Sequence, residues 1–137
     1  MEEWKMARNG TVVTRGKTIK QIWANPTLFQ SFGAQVGDTG VTAKNNRKII
    51  PAGTPVGGEN SFYEDEKVIL SVTNTAEKAE ETQGVLLFDV DVTDGANNAT
   101  VLVFGFVNEA RLETGLVVAT EAKKALENKV TFVKRNA

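Results

Sequence analysis

The chain has 137 residues and contains no cysteine and no histidine. The absence of cysteine excludes a disulfide framework, a thiol nucleophile and a zinc site with cysteine ligands. The absence of histidine removes the most common general base and the most common metal ligand. A single tyrosine, Tyr63, remains beside carboxylates, lysines and hydroxyl groups. Any catalytic site would have to be built from those groups, and we predict no enzymatic activity.

The chain also lacks a charge excess and a long apolar run. It carries 16 basic and 17 acidic residues, for a net charge of −1. A balanced surface predicts that neither nucleic acid nor a membrane is a direct partner. No apolar run approaches the ~18 residues of a membrane span, and the start lacks the order of a signal peptide. No glycine cluster matches a phosphate-binding loop, so we expect no cofactor.

The most informative stretch is Gly84 to Val107, which predicts a β-hairpin. Residues 89–92 alternate strictly between aspartate and valine, which is the period of a half-buried strand. Asp94-Gly95 and the residues that follow supply turn chemistry, because Gly, Asn and Asp tolerate positive φ. Residues 99–107 then become apolar and β-branched again. The hairpin predicts a core in which Val90 and Val92 face inward.

Shorter elements surround this hairpin. Thr120 to Asn128 predicts a helix, with Thr120 as the N-cap and Asn128 as a left-handed cap. The alternating or β-branched segments that predict short strands are 41–43, 48–50, 54–56, 68–72 and 130–133. Together these elements predict a mostly β fold of the α+β class.

We divide the chain into a flexible N-terminal arm, residues 1–16, and a single β-rich domain, residues 17–137. The arm is polar and has one apolar pair, Val12-Val13, so it is weakly ordered when alone. Trp4 is the exception in the arm. A tryptophan in such a place either packs onto its own domain or anchors on a partner.

The segment from Thr18 to Phe32 carries much hydrophobic area and little regular structure. The spacing before Pro26 fits a helix that the proline ends, and the residues after it fit either a short helical turn or an aromatic loop. The segment either packs in the core against the hairpin or forms an interface, because monomers rarely expose such a cluster. The side chains concerned are Ile19, Ile22, Trp23, Leu28, Phe29 and Phe32.

The aspartates of the hairpin permit two chemical interpretations. Asp89, Asp91 and Asp94 resemble a calcium loop, but an extra residue breaks the EF-hand spacing. Asp89 and Asp91 share a strand face and could form an acid–base pair, but nothing nearby in the sequence supplies a pocket. The alternation with valine instead favours the solvent face of a strand, and we predict neither a metal site nor a catalytic residue.

Two parts of the sequence resemble the head-decoration proteins of lambda-like tailed phages. The resemblance covers about residues 48 to 134. It rests on residues 49–55 (IIPAGTP), 83–87 (QGVLL), Asp94, 99–101 (ATV), 105–107 (GFV), Ala110, a helix with two consecutive lysines, and a terminal β-strand.

The resemblance implies a small, mostly β domain, sandwich-like or barrel-like, with one or two short helices and an extended N-terminal arm. It implies a homotrimer that binds the phage major capsid protein at the three-fold positions of the expanded head and resists DNA pressure. The arm would add a strand to the capsid protein, and Trp4, Thr11, Val12, Val13 and Thr14 would contact it. The protein would be found in the host cytoplasm during assembly and then on the outer surface of the virion.

Two other classes of protein remain compatible with the sequence. One is a different structural subunit of a phage virion or tail, because β-rich phage proteins share turn-rich sequences. The other is a small carboxylate-dependent enzyme on a trimeric β scaffold. A neighbouring gene for a major capsid protein would favour the structural classes over the enzyme.

Overall fold

The computed structural model describes residues 22–25, 27–75 and 77–135. These residues form eight β-strands, one α-helix and two 3₁₀ turns, at Ala79–Glu81 and Glu109–Arg111. The helix, α1, spans Thr120–Ala125. The strands are β1 (Gln30–Val36), β2 (Ile49–Ile50), β3 (Pro55–Gly57), β4 (Ile69–Val72), β5 (Thr82–Leu86), β6 (Val90–Asp91), β7 (Asn97–Asn108) and β8 (Val130–Val133). The prediction of a mostly β fold with one or two short helices is confirmed.

Five of the described strands close into a small barrel. Their order around it is β1, β4, β3, β5, β7, and β7 pairs again with β1. All of these neighbours are antiparallel except β1 and β4, which are parallel. The twelve-residue β7 also pairs in parallel with β8, which lies outside the barrel. The predicted barrel-like architecture is therefore confirmed.

The two faces of β5 and β7 bury side chains in two different cores. Val85 is in register with Leu102, and both belong to the outer core beneath the helix. Leu86 is in register with Val101, and both lie in the barrel interior. Because successive strand residues point to opposite faces, a strand covered on both sides is apolar without alternation. This explains the continuous apolar run around Val101.

Helix α1 and strand β8 cover the outside of the barrel. Ala122, Leu126 and Val130 are buried together in the outer core, as the apolar stripe of the helix predicts. Asn128 adopts φ 67°, which lets the chain reverse from the helix into β8. A parallel pair such as β7 and β8 needs a long crossover, and residues 109–129 provide it. The predicted packing of the helix on the final strand is confirmed.

The hairpin is present but its first arm is interrupted. Strands β5 and β7 pair antiparallel, as predicted. Residues 90 and 91 leave this pair and form a separate two-stranded sheet with Ile49–Ile50. Val90 and Val92 are nevertheless buried, Asp91 is partly exposed and Asp89 is exposed. The alternation predicted the direction of each side chain correctly, but not the strand partner.

Three local predictions were wrong. Residues 41–43 do not form a strand. The helix ends at Ala125, and its N-cap is Ala119 rather than Thr120, with no side-chain capping hydrogen bond. The described residues between 22 and 32 contain no helix, and strand β1 begins at Gln30, so Phe32 lies in a strand where its spacing predicted a short helical turn or an aromatic loop.

Candidate functional site

The predicted interface segment divides between core and surface. Ile22 is fully buried in the outer core, and Trp23 is partly buried against the same core. Leu28, Phe29 and Phe32 are exposed, at 50%, 37% and 45% of their surface. Ile22 and Trp23 therefore pack in the core, whereas the side chains of residues 28, 29 and 32 are available for an interface. Ile19 and the arm residues Trp4, Thr11, Val12, Val13 and Thr14 lie outside the described residues.

Trp23 supports the exposed pair Leu28-Phe29 from below. Its ring stacks on Phe29 with centroids 5.4 Å apart and meets Phe88 edge to face at 6.0 Å. The backbone at 28 and 29 lies directly over Gly105 of β7, where an added Cβ would be 3.0 Å from Phe29 Cβ. Gly105 has φ 144°, which a larger residue rarely adopts. The glycine therefore permits the apolar pair to lie on the barrel surface.

The indole of Trp23 brings a buried donor to this surface. Within the described structure, its Nε1 is buried and has no hydrogen-bond partner. A buried N–H without an acceptor is destabilising by roughly 1–3 kcal/mol. Stacking on Phe29 and the edge-to-face contact with Phe88 hold the ring of Trp23 in place despite this loss.

Phe32 belongs to a second aromatic cluster, with Phe62 and Tyr63. Its ring meets Tyr63 edge to face at 5.8 Å and Phe62 at 6.5 Å, while Phe62 and Tyr63 stack at 4.9 Å. Phe62 closes the barrel interior, whereas Tyr63 is 51% exposed. Burial of the inner part of its ring raises the pKa of Tyr63 above 10 by desolvation of the phenolate.

All three rings of the aromatic cluster line a cleft of about 800 Å³. One wall comes from β1 and the start of β7, and the other comes from the loop that follows Phe62. The residues that line it are Phe32, Gly33, Ala34, Gln35, Phe62, Tyr63, Glu64, Glu66, Lys67, Asn98 and Ala99. The cleft thus combines exposed rings with two carboxylates, two amides and one ammonium group.

Gln83 holds the loop wall of this cleft in place. Its side-chain oxygen accepts a hydrogen bond from the backbone N–H of Phe62 at 3.0 Å. Its side-chain nitrogen donates to the carbonyl oxygens of Gly58 and Asn60 at 3.2 and 2.8 Å. One barrel side chain therefore satisfies three backbone groups of residues 58–62, which fixes where Tyr63 and Glu64 project.

The aspartates of the hairpin have structural partners. Asp89 accepts a hydrogen bond from the backbone N–H of Ala52 at 2.8 Å. Asp91 accepts hydrogen bonds from the hydroxyl and the backbone N–H of Thr93 and forms an ion pair with Arg47. Hydrogen bonding to Thr93, with a smaller contribution from Arg47, lowers the pKa of Asp91 below its ordinary value of 3.8. In the described part of the chain, no group of three or more acidic residues is arranged to hold a metal ion.

The sequence analysis did not predict that residues on the loop wall of the cleft, between 62 and 67, belong to a candidate site. Phe62 and Tyr63 stand together in a polar segment with four acidic residues. Adjacent aromatic residues in such a segment are a signal for a surface cluster, but their contact with Phe32 joins positions thirty residues apart. Exposed Ile69 and Phe104 were also not predicted as surface residues.

No protein-family model and no curated protein sequence matches this chain. The described residues include no helix with the length and hydrophobicity of a membrane span.

Proposed function

We propose that this chain is a structural decoration protein of a tailed-phage capsid. It binds the major capsid protein at the three-fold positions of the expanded head as a homotrimer and stabilises the shell against the pressure of packaged DNA. The small β-barrel with one outer helix agrees with the fold that the family resemblance implies. The fold alone supports several functions, so the proposal depends on the surface.

The observation that carries the proposal is the exposed apolar surface where the described chain enters the barrel. Leu28, Phe29 and Phe32 are exposed within five residues of one another in the sequence. Phe104 is also exposed and lies on the neighbouring strand β7, in register with Gln30. Soluble monomers rarely leave large apolar side chains this close together without a partner. Trp23 stacks on Phe29 of this surface, and its buried Nε1 has no hydrogen-bond partner among the described residues.

This surface supports a subunit interface better than a small-molecule site. Interface anchors are enriched in aromatic side chains, which supply large contact area at low entropy cost. Leu28 and Phe29 project from the barrel at the end of the chain that leads to the arm. A trimer contact here would place three arms around one axis, as a three-fold capsid position requires.

The test is reconstitution on capsid shells. Expanded shells, assembled from a major capsid protein whose gene neighbours the gene for this chain, if one is found, are mixed with the purified protein and reconstructed by electron microscopy. We expect three copies of the barrel at each three-fold position and shells that withstand higher temperature. Shells that remain undecorated at saturating protein concentration would contradict the proposal.

A further inference from the structure

The cleft lies between strand β1 and the loop that follows Phe62, and apart from Phe32 its lining residues take no part in the proposed function. Phe32 and Tyr63, which line it, are about half exposed. Glu64 and Glu66 also line it, and Asp65 stands between them in the sequence. Lys67 supplies the only positive charge among the lining residues that the structure describes. An occupant that matches this cleft has an aromatic or thioether side chain next to cationic groups.

The chain itself contains such a segment in its first residues. Residues 1–21 carry five basic and two acidic residues, a net charge of +3, while residues 22–137 carry eleven basic and fifteen acidic residues, a net charge of −4. Within the first part, the sequence Trp4-Lys5-Met6-Ala7-Arg8 places two cations beside a tryptophan and a methionine. Tryptophan pairs favourably edge to face with Phe and Tyr rings, and lysine and arginine are attracted both to carboxylates and to ring faces.

The segment can reach the cleft without strain. The described chain starts at Ile22, whose carbonyl oxygen accepts a hydrogen bond from the N–H of Asn108 at one end of β7. The cleft lies beside Ala99, nine residues away along that strand, or about 30 Å at ~3.3 Å per residue. Residues 9–21 can span up to about 43 Å when extended, and as a flexible coil they average about 20 Å. A tether of this length gives a local concentration near the millimolar range, so a weak contact suffices.

We propose that Trp4 to Arg8 docks into the cleft of its own chain in the free protein. Trp4 packs against Phe32 and Tyr63, and Lys5 and Arg8 lie near Glu64 and Glu66. The sequence of the arm has few apolar groups, and the cleft supplies the apolar surface that it lacks. The docking is a property of the free chain and does not rest on capsid binding. If the arm also binds the shell, the cleft and the shell compete for it.

The experiment uses the full chain with a nitroxide at the Asn9→Cys variant, which has a single thiol because the natural chain has no cysteine. Paramagnetic broadening of backbone amide signals then maps where the arm lies. We expect strong broadening at Tyr63, Glu64, Glu66 and Asn98, and at least a twofold loss of that broadening in the Trp4→Ser variant. Glu64→Gln with Glu66→Gln should reduce it similarly, as should high salt, because screening weakens exposed charge pairs.

A matched control and a mixing test complete the design. The variant Glu77→Gln with Glu80→Gln removes two exposed charges, one beside and one within the 3₁₀ turn that contacts helix α1, and it should leave the broadening unchanged. Isotope-labelled chains without the nitroxide, mixed with unlabelled nitroxide chains, should show no broadening at the cleft. Broadening in that mixture would mean that the arm of a second copy is the occupant, and would overturn docking within one chain. Broadening that is uniform, or unaffected by Trp4→Ser, would overturn the cleft as the docking site.

Discussion

Gly84 of β5 lies against Val101 of β7 with no room for a side chain between them. A Cβ at Gly84 would stand 2.5 Å from Val101 Cγ1 and 2.6 Å from the carbonyl oxygen of Leu102. The same two strands divide the two cores, because Val85 and Leu86 follow Gly84 and point to opposite faces. The close approach at Gly84 therefore sets how tightly the barrel wall closes at its centre.

The first prediction concerns this contact. Gly84→Ala should lower the free energy of unfolding by about 1–3 kcal/mol, because an added methyl group would collide with backbone and must displace a central strand. Urea unfolding measures the change. Gly58→Ala is the matched control, since a Cβ there meets no atom within 4 Å, and it should change stability by about 0.5 kcal/mol or less. Equal stabilities of the two variants would show that β5 and β7 are paired in a different register.

The second prediction concerns the inward valines of the interrupted hairpin. Val90 is 5% exposed and belongs to the barrel core, so Val90→Asp should cost several kcal/mol by burying an unpaired charge. Val117→Asp makes the same substitution at a valine that is 76% exposed, and it should be nearly neutral. Thermal and urea melts compare the two. A Val90→Asp variant as stable as Val117→Asp would contradict the assignment of Val90 to the core.

The third prediction is an acid dependence of stability. The pKa values of Asp91 and Asp38 are lowered, Asp91 by Thr93 and Arg47, and Asp38 by its hydrogen bond and ion pair with Lys48 at 3.1 Å. A carboxylate whose pKa is lower in the folded state stabilises the fold above its ordinary pKa of 3.8. That stabilisation is lost as the pH falls through the lowered folded value. The urea concentration at the midpoint of unfolding should therefore decrease as the pH is lowered from about 5 to about 2.

Substitution of the carboxylate isolates its share of this effect. Asp91→Asn should be less stable than the natural chain at neutral pH, and the difference should shrink as the pH falls below the lowered pKa of Asp91. Asp94→Asn, at an exposed turn position, is the control and should change the stability at neutral pH by about 0.5 kcal/mol or less. A difference between Asp91→Asn and the natural chain that stays constant over the whole pH range would contradict the lowered pKa of Asp91.

The fourth prediction concerns self-association. We expect the protein to form a closed trimer, at least when bound to the shell. Leu28→Ser should lower the trimer fraction measured by light scattering, because it removes an apolar side chain that is half exposed beside Phe29. Val117→Ser removes a more exposed apolar group elsewhere and should leave the trimer fraction unchanged. A monomer both in solution and on the reconstructed shell would rule out the trimer.

The fifth prediction concerns the arm. Deletion of residues 2–16 should leave the melt of the barrel intact, because the described strands begin at Gln30. It should weaken attachment to expanded shells by several kcal/mol, the scale expected for loss of a β-pairing strand and an aromatic anchor. Binding isotherms of the full-length and shortened chains make the comparison. Equal affinities would assign attachment to the barrel surface around Leu28 and Phe32 instead.

The sequence by itself determined the elements whose pattern is local. The alternation at 89–92 placed Val90 and Val92 inside the fold, and the β-branched run at 130–133 located β8. The apolar stripe of Ala122 and Leu126 identified the only α-helix among the described residues. Each of these signals arises from side-chain periodicity within a few residues, so it does not depend on which distant segment becomes the partner.

The tertiary structure decided which segments pair and what they expose. Strand β1 has Ser31, Gly33 and Gln35 between its apolar residues and weak β-propensity, and it is extended because seven of its residues pair with β7. Residues 90 and 91 continue a hairpin in sequence but pair with Ile49–Ile50 in the fold. The contact of Phe32 with Tyr63, and with it the cleft, exists only once the barrel closes. Long-range pairing depends on the packing of the whole barrel, and no local pattern encodes it.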